Sequence, residues 1–424
     1  MTRSSGAGGT GGTVSVGGVG GKPLSGIVVL DLSWVYSGPY ASLLLHDLGA
    51  DVIKVEAPVH GDHSRSFPPF RNGASGYFYS LNRGKRSIAL DLKNEAGKAL
   101  FRKLAAGSDV VVENFVPGTM EKLGLGYEQL KRERRDLVYA SIHGFGTFGP
   151  YAAFAGVDPV AQAMGGLMAQ SGFAGGAPLK TGPAVADAIA GLYLAFGIVA
   201  AILERSRTGE GKRVEVGMMD AVFSVLEESV VRASITGDAL PRRGNTDPLG
   251  APWDAFETSD GKWVMVCAVG GDRVASMYRG IGRDDIARDY GGDGEAAGAK
   301  RAEALLELNR IFAGWAKTRT ADELMAYCRK LRVPCGEVRD VADLLEDPHL
   351  RARGMVVDIE HPRLGKVATY NTPVLFDGQS IGIAPGENPL DPEAGEHGRA
   401  ILREMLGMDD AEVDRLRLEG AVWA

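Results

Sequence analysis

The sequence predicts an α/β protein whose large domain is an open, doubly wound parallel sheet, and three observations predict it. Short apolar runs recur along the first third of the chain, helical stretches separate them, and loops rich in Gly, Asn and Pro follow several of them. Ile27 to Leu32, bounded by Gly26 and Ser33, suits a buried strand, and Tyr40 to Leu48 then shows helical spacing. Asp51 to Val55 is the second strand. After a polar loop from Ala57 to Gly76, Arg86 to Leu90 reads as strand and Ala96 to Ala105 as helix. Asp109 to Glu113 follows, then a helical stretch from Thr119 to Glu133 interrupted by Gly124 and Gly126, then Leu137 to Ile142 as a fifth strand. Strands alternating with helices pair in parallel through right-handed crossovers, which makes the sheet Rossmann-like. Ligands of such sheets sit beyond the carboxyl ends of the strands, here Ser33 to Pro39, Asn114 to Gly118 and His143 to Pro150.

With 424 residues, 45% of them hydrophobic, the chain is long enough for roughly two or three domains with sizeable cores. A formal charge of -7 argues against a general nucleic-acid surface, which needs a basic stripe, so an acidic ligand calls for a local cluster of cations. Cys267, Cys328 and Cys335 lie far apart, with no CxxC pair and no His at ligand spacing, so no metal site is expected; they read as reduced core thiols of a cytoplasmic protein. No membrane span is expected either, because the apolar run Gly191 to Leu203 is short of about 18 residues. Met1 to Lys22 is Gly-rich, carries no signal peptide and reads as a disordered tail.

The most unusual stretch is Thr181 to Leu203, TGPAVADAIAGLYLAFGIVAAIL, whose one ionisable group is Asp187. Aspartate is seldom buried without compensation. Two roles are open: a cap on a helix starting near Ala188, or a carboxylate nucleophile or base in an apolar cleft. Gly144, Gly146 and Gly149 satisfy the literal GxGxxG pattern, yet Pro150 follows at once and the pattern ends the fifth strand rather than the first. A loop that needs glycine for tight turns accounts for it, without a nicotinamide or flavin.

Five motifs in order, LDLSWVYSGPYASLLLHDLGADVIKVE, LNRGKRSIALDLK, VVENFVPGTMEKLGLGYEQL, HGFGTFGPYAAFAGVDPVAQAMGGLM and TGPAVADAIAGLYLAFGIVAAILERSRTGEGKRVEV, resemble the family III CoA-transferases. The likeness runs from about Pro23 to the end of the chain. It implies a large domain built from both ends of the sequence, a smaller inserted α/β domain and an interlocked homodimer. In those terms residues 23–217 begin the large domain and 218–248 are a linker, with a long helix from Met218 to Ile235. Residues 249–340 form the small domain, with strands near Trp253 to Thr258 and Lys262 to Ala268 and helices from Ala302 to Lys317 and Ala321 to Lys330. Residues 341–424 return to the large domain.

The resemblance also implies chemistry. Asp187, in AVADAIAG, matches the family's covalent nucleophile, and the substrates implied are an acyl-CoA and a small carboxylic acid, with no tightly bound cofactor. Val35, Tyr36 and Ser37 match the loop that meets the thioester end, although Tyr36 replaces the glutamine of formyl-CoA transferase. Lys85 and Arg86, Asn114 and Phe115, Lys122, and Asp158 fall on CoA-contacting motifs, and Lys93 adds a cation nearby. Gly244 to Gly250 matches the family's glycine loop in position, with two glycines in place of a consecutive run, and is the candidate lid. Two alternatives remain. The racemase branch carries a His-Asp pair in an AGHD motif, where this chain has Val157 before Asp158, so His143 would have to substitute. A non-catalytic acyl-CoA-binding protein is the other.

Overall fold

The computed structural model describes residues 21–423, so the expected tail lies outside the described residues except for Gly21 and Lys22. The chain forms two compact units. The first comprises the residues up to Ala153, Ala190–Val216 and Val357 onward; the second comprises Phe154–Ile189 and Gly217–Val356.

The first unit is organised on a seven-stranded sheet. Its strands are β1 (Val28–Asp31), β2 (Asp51–Glu56), β3 (Arg86–Leu90), β4 (Val110–Glu113), β5 (Val138–His143), β6 (Arg213–Gly217) and a short last one, Val422–Trp423. They lie in the order Val422–Trp423, β3, β2, β1, β4, β5, β6. Pairing is parallel between β3 and β2, β2 and β1, β1 and β4, and β4 and β5. The wholly parallel expectation fails at one edge, where Val422–Trp423 runs antiparallel to β3. No crossover feeds this strand: the chain reaches it from a short helix, Asp410–Leu418, and meets β3 from the opposite direction. The strand order reverses between β1 and β4, so a crevice is expected above their carboxyl ends.

Helices α1 (Ser37–Asp47), α2 (Glu95–Ala106), α3 (Thr119–Lys122) and α4 (Tyr127–Glu133) lie between these strands in the chain. Asn94 caps α2 by accepting from the Ala96 N–H, and Leu100, Phe101 and Leu104 on one face of α2 join Leu30, Ile53, Ile88 and Val111 of the sheet in the core. The stretch from Thr119 to Glu133 is two helices, because Gly124 takes a left-handed φ of 72° between them.

At the carboxyl end of β1 the core is not apolar. Asp31 is fully buried and accepts from Lys85 Nζ at 3.0 Å and from Ser42 Oγ at 2.6 Å. Lys54, on β2, is equally buried and reaches the Ser33 carbonyl at 2.8 Å and the Asp62 carboxylate at 2.8 Å. Burial alone would raise the Asp31 carboxyl, but Lys85, Lys54 and two serine hydroxyls outweigh it and hold the group well below the usual carboxylate range. Burial pulls the Lys85 ammonium down to about 8 against the attraction of Asp31, so both groups are charged at neutral pH.

The second unit contains α5 (Asp158–Met164), the first residues of α6 (Val185–Thr208), α7 (Met218–Ser224), α8 (Glu228–Thr236), β7 (Gly250–Glu257), β8 (Trp263–Val269), α9 (Glu295–Ala316), α10 (Ala321–Lys330) and β9 (Cys335–Glu337). Its antiparallel sheet, ordered β9, β8, β7, packs Phe256, Val264 and Val266 against Tyr278, Leu308 and Phe312. The single helix expected from Met218 to Ile235 is instead two, broken where Glu227 takes a φ of 51°. Helix α6 begins three residues before Ala188. Its 24 residues make it long and apolar enough to cross a membrane by length and composition, beyond the short run expected. It is a partly buried core helix: Ala186, Ala190, Leu194, Ile198 and Ala201 are buried along one face.

Removing one partner from the buried ion cluster leaves charges with no counterpart. Asp31→Asn is expected to destabilise the fold by ~3–5 kcal/mol, read as a lower midpoint of urea unfolding.

Candidate active site

The crevice expected at the strand-order reversal is present in the first unit, as a cavity of about 300 Å³. Ser33 and Trp34 line it after β1, Ala57 and Asp62 after β2, Asp91 to Lys93 after β3, and Phe115 and Thr119 after β4. Trp34 lies edge-on to Phe115, with ring centres 6.1 Å apart, and tilts toward His63 at 5.5 Å. Trp34, Phe115 and Leu92 give an aromatic and aliphatic wall, and Lys93 is the exposed cation among the lining residues.

The loop after β1 is held from two sides. Asn114 accepts from the Trp34 N–H at 3.0 Å and donates to the Trp34 carbonyl at 2.8 Å. Asp62 accepts from the Val35 N–H at 3.1 Å. Val35 takes a φ of 68°, a left-handed conformation that a β-branched residue adopts only under constraint. Tyr36 lies against Tyr40, ring centres 5.7 Å apart, and Ser37 is buried at the start of α1.

Of the cofactor contacts expected, Phe115 lines this cavity, and Asn114 and Val35 belong to the loops around it. Lys85 and Arg86 do not line it. Lys85 is spent on Asp31, Pro39 and Asn82 within the core, and Arg86 pairs with Asp51 and with Glu404. Within this structure the cations of the NRGKRS motif are paired with carboxylates, and Lys93, seven residues beyond Arg86, is the exposed cation at the cavity. Lys122 is exposed on α3, beside the lining residue Leu123.

The second group of site residues lies in the second unit. Asp158, the first residue of α5, is 7% exposed. Its Oδ1 accepts from the Ala186 N–H at 2.7 Å and from the Asp187 N–H at 3.3 Å, and its Oδ2 accepts from Gln162 Nε2 at 2.7 Å. Gln162 Oε1 in turn accepts from the Thr181 N–H at 3.0 Å. Asp158 thus caps α6 from another helix and fixes the turn that carries Asp187. Both oxygens of Asp158 accept from protein donors. Asp187 is the third residue of α6, within the first turn and half-buried.

The two glycines of the candidate lid each have a local reason. Gly244 has a φ of 62° and donates its N–H to the Gly172 carbonyl, while a Cβ on Gly250 would lie 2.1 Å from the Ala268 carbonyl of the neighbouring strand. The GxGxxG stretch is a loop with left-handed φ at Gly146 and Gly149, and Glu215 binds the Thr147 hydroxyl at 2.6 Å within it. His143 is buried at the end of β5, with Nδ1 donating to the Phe115 carbonyl at 3.0 Å. Among the described residues no cluster of His, Cys, Asp and Glu could hold a metal ion.

Residues 24–398 match CoA-transferase family III, and the chain belongs to that family. Its activity is therefore that of a CoA-transferase acting between an acyl-CoA and a carboxylic acid. Among its relatives, the succinyl-CoA:mesaconate CoA-transferase of Haloarcula hispanica is 39% identical over 392 residues, covering 90% of this chain and 96% of that one. The formyl-CoA:oxalate CoA-transferase of Streptomyces coelicolor is 36% identical over 420 residues, 95% of this chain and 99% of the other. A crystal structure of a CAIB/BAIF family protein from Brucella suis, 36% identical, superposes with a TM-score of 0.80 over 91% of this chain and 100% of that chain.

If Asp158 holds the turn of Asp187, Asp158→Ala should cost ~0.5–2 kcal/mol of stability through the lost cap and reduce transfer far more than Asp158→Asn, which keeps an acceptor. Thermal unfolding and initial rates on the two variants check it. Equal rates in both would remove the positioning role.

Proposed function

We propose that Asp187 is the covalent nucleophile of the transfer and that the cavity above β1 and β4 binds the nucleotide of CoA. The observation that carries the first part is the place of Asp187: a half-buried carboxylate in the first turn of an apolar helix, on a backbone turn that Asp158 holds through the Ala186 and Asp187 N–H groups. The Asp187 carboxylate attacks the thioester carbonyl of the donor, the C–S bond breaks, and an aspartyl acyl anhydride and CoA thiolate form. Thiolate then attacks the aspartyl carbonyl, expelling the first acid and leaving an aspartyl-CoA thioester. The acceptor carboxylate runs the two steps in reverse and leaves as the new thioester, so the energy of the thioester is kept. Water must be excluded while the anhydride exists, and the loop Gly244 to Gly250 is our candidate lid.

For the nucleotide, Lys93 offers the cation and Trp34 and Phe115 offer apolar faces, a pairing that suits an adenine next to phosphates. The strand order supports a Rossmann-like reading of the first unit. Val35 to Ser37 would face the thioester end. For the acids, the names of the Haloarcula hispanica enzyme and of the succinate–glutarate CoA-transferase of Agrobacterium fabrum, 37% identical, point to short dicarboxylic acids as the first to try. Three free thiols agree with a cytosolic location.

We further propose an interlocked homodimer with a smaller α/β domain inserted in each chain. Leu192, Phe196, Val199 and Leu203 form an exposed apolar stripe along α6, with Phe196 72% exposed, which a second copy would cover.

Asp187→Asn should change stability by no more than ~1 kcal/mol, the worth of one charge in a first helical turn, while transfer falls by orders of magnitude. Hydroxylamine added to the wild type with succinyl-CoA and other short acyl-CoAs should leave a hydroxamate on the peptide containing Asp187, seen by mass. An active donor with no modification there sinks the covalent assignment. For the dimer, Phe196→Glu should shift the protein from dimer to smaller or aggregated species on sizing, and a wild type that elutes as a monomer would refute the pairing.

A further inference from the structure

Glu113, the last residue of β4, is a buried carboxyl group that the transfer chemistry does not use. Its Oε2 accepts from the Phe115 N–H at 2.9 Å. On the next strand, His143 Nδ1 donates to the Phe115 carbonyl at 3.0 Å. Both backbone polar groups of Phe115, a residue of the cavity wall, are therefore gripped by titratable side chains. With its proton on Nδ1, His143 presents a bare lone pair at Nε2. That atom is buried without a hydrogen-bond partner and lies 3.9 Å from Glu113 Oε1. Two acceptors facing each other in a buried site lack one proton between them.

We propose that Glu113 and His143 are positioning residues of the nucleotide site, a clamp on Phe115 that binds CoA more tightly when one proton lies between them than when it is lost. The inference rests on the reading that this cavity takes CoA. With the proton in place the carboxyl and the imidazole attract, and Phe115 is held from both sides. Without it, a carboxylate faces a lone pair behind the wall of a cavity meant for phosphates, and both the looser clamp and the added negative charge act against the ligand.

The surroundings set where the proton is lost. Glu113 is met by Glu121 of α3, by the Tyr139 hydroxyl of β5, which donates at 3.4 Å, and by Arg213 of β6. His143 is met by Glu215 and Arg213 of β6 and by Glu121. Burial first, with Glu121 adding to it, pushes the Glu113 carboxyl up to about 7, while burial lowers the His143 imidazole. The shared proton thus resides on Glu113 at mildly acid pH. A ligand that prefers the protonated form binds best below that value and loses affinity as pH rises through it, about tenfold for each unit by which the ligand raises the group.

Calorimetric titration of CoA into the wild type and Glu113→Gln, from about pH 6 to about pH 8.5, tests this; the 3′-phosphate of CoA itself titrates near about pH 6. Because that ionisation is common to both proteins, the difference between their profiles isolates Glu113. The wild-type affinity should fall several-fold more steeply than that of the variant, whose amide carries a permanent donor toward His143. Parallel profiles would overturn the proposal. A second measurement needs no variant: near about pH 8 the phosphate is already ionised, and wild type titrated in two buffers of different ionisation enthalpy should take up a fraction of a proton on binding CoA. No uptake would overturn the clamp while leaving the site intact. CoA that binds at no pH would instead remove the nucleotide site and the clamp with it.

Discussion

The buried ion cluster around Asp31 is the constraint on which the first unit depends. Charges taken out of water stay charged only if each finds a partner, and here the partners come from two strands and three loops. Asp31 ends β1, Lys54 lies on β2, and Lys85 precedes β3. Asp62 reaches in from the loop after β2, and the Ser33 carbonyl belongs to the loop after β1. Apolar contacts would hold these strands together without fixing how their ends are aligned. The ion pairs and hydrogen bonds do fix it, and the ends of these strands are where the cavity lies.

Much of this was legible in the residues. Five strands of the parallel sheet follow from short apolar runs between turn signals, and the loops at their ends follow from the rule that ligands sit there. Phe115 and the loop from Val35 were found through motifs, and the structure puts Phe115 in the cavity wall. Lys85 and Arg86 show what one dimension leaves open. A cluster of cations looks the same in one dimension whether it waits for a phosphate or is already matched to carboxylates far away in sequence, as Asp31 is for Lys85, 54 positions distant. The antiparallel edge strand depends on a pairing across the chain, Val422 with Leu90, for the same reason. Asp62 lies outside the motifs, and Trp34 and Glu113 lie within them without being singled out.

If Asp187 is the nucleophile, as we propose, then Asp158 and Asp187 divide two tasks between two carboxylates. A helix start needs an acceptor for its unpaired N–H groups, and a nucleophile needs its oxygens for the reaction. Here Asp158, itself held by Gln162, accepts from the N–H groups of that helix start, and Asp187 sits on the turn so fixed. The sequence places the two carboxylates 29 positions apart, and only the fold assigns them to one turn.

The backbone of Val35 carries a last consequence. A valine held at a left-handed φ stores on the order of 1–3 kcal/mol, and the Asp62 and Asn114 contacts around it must keep that strain in place. Glycine would relax the loop at once. Mutational drift or laboratory selection for heat tolerance alone would therefore tend to replace this residue, gaining a more robust protein with a softer loop.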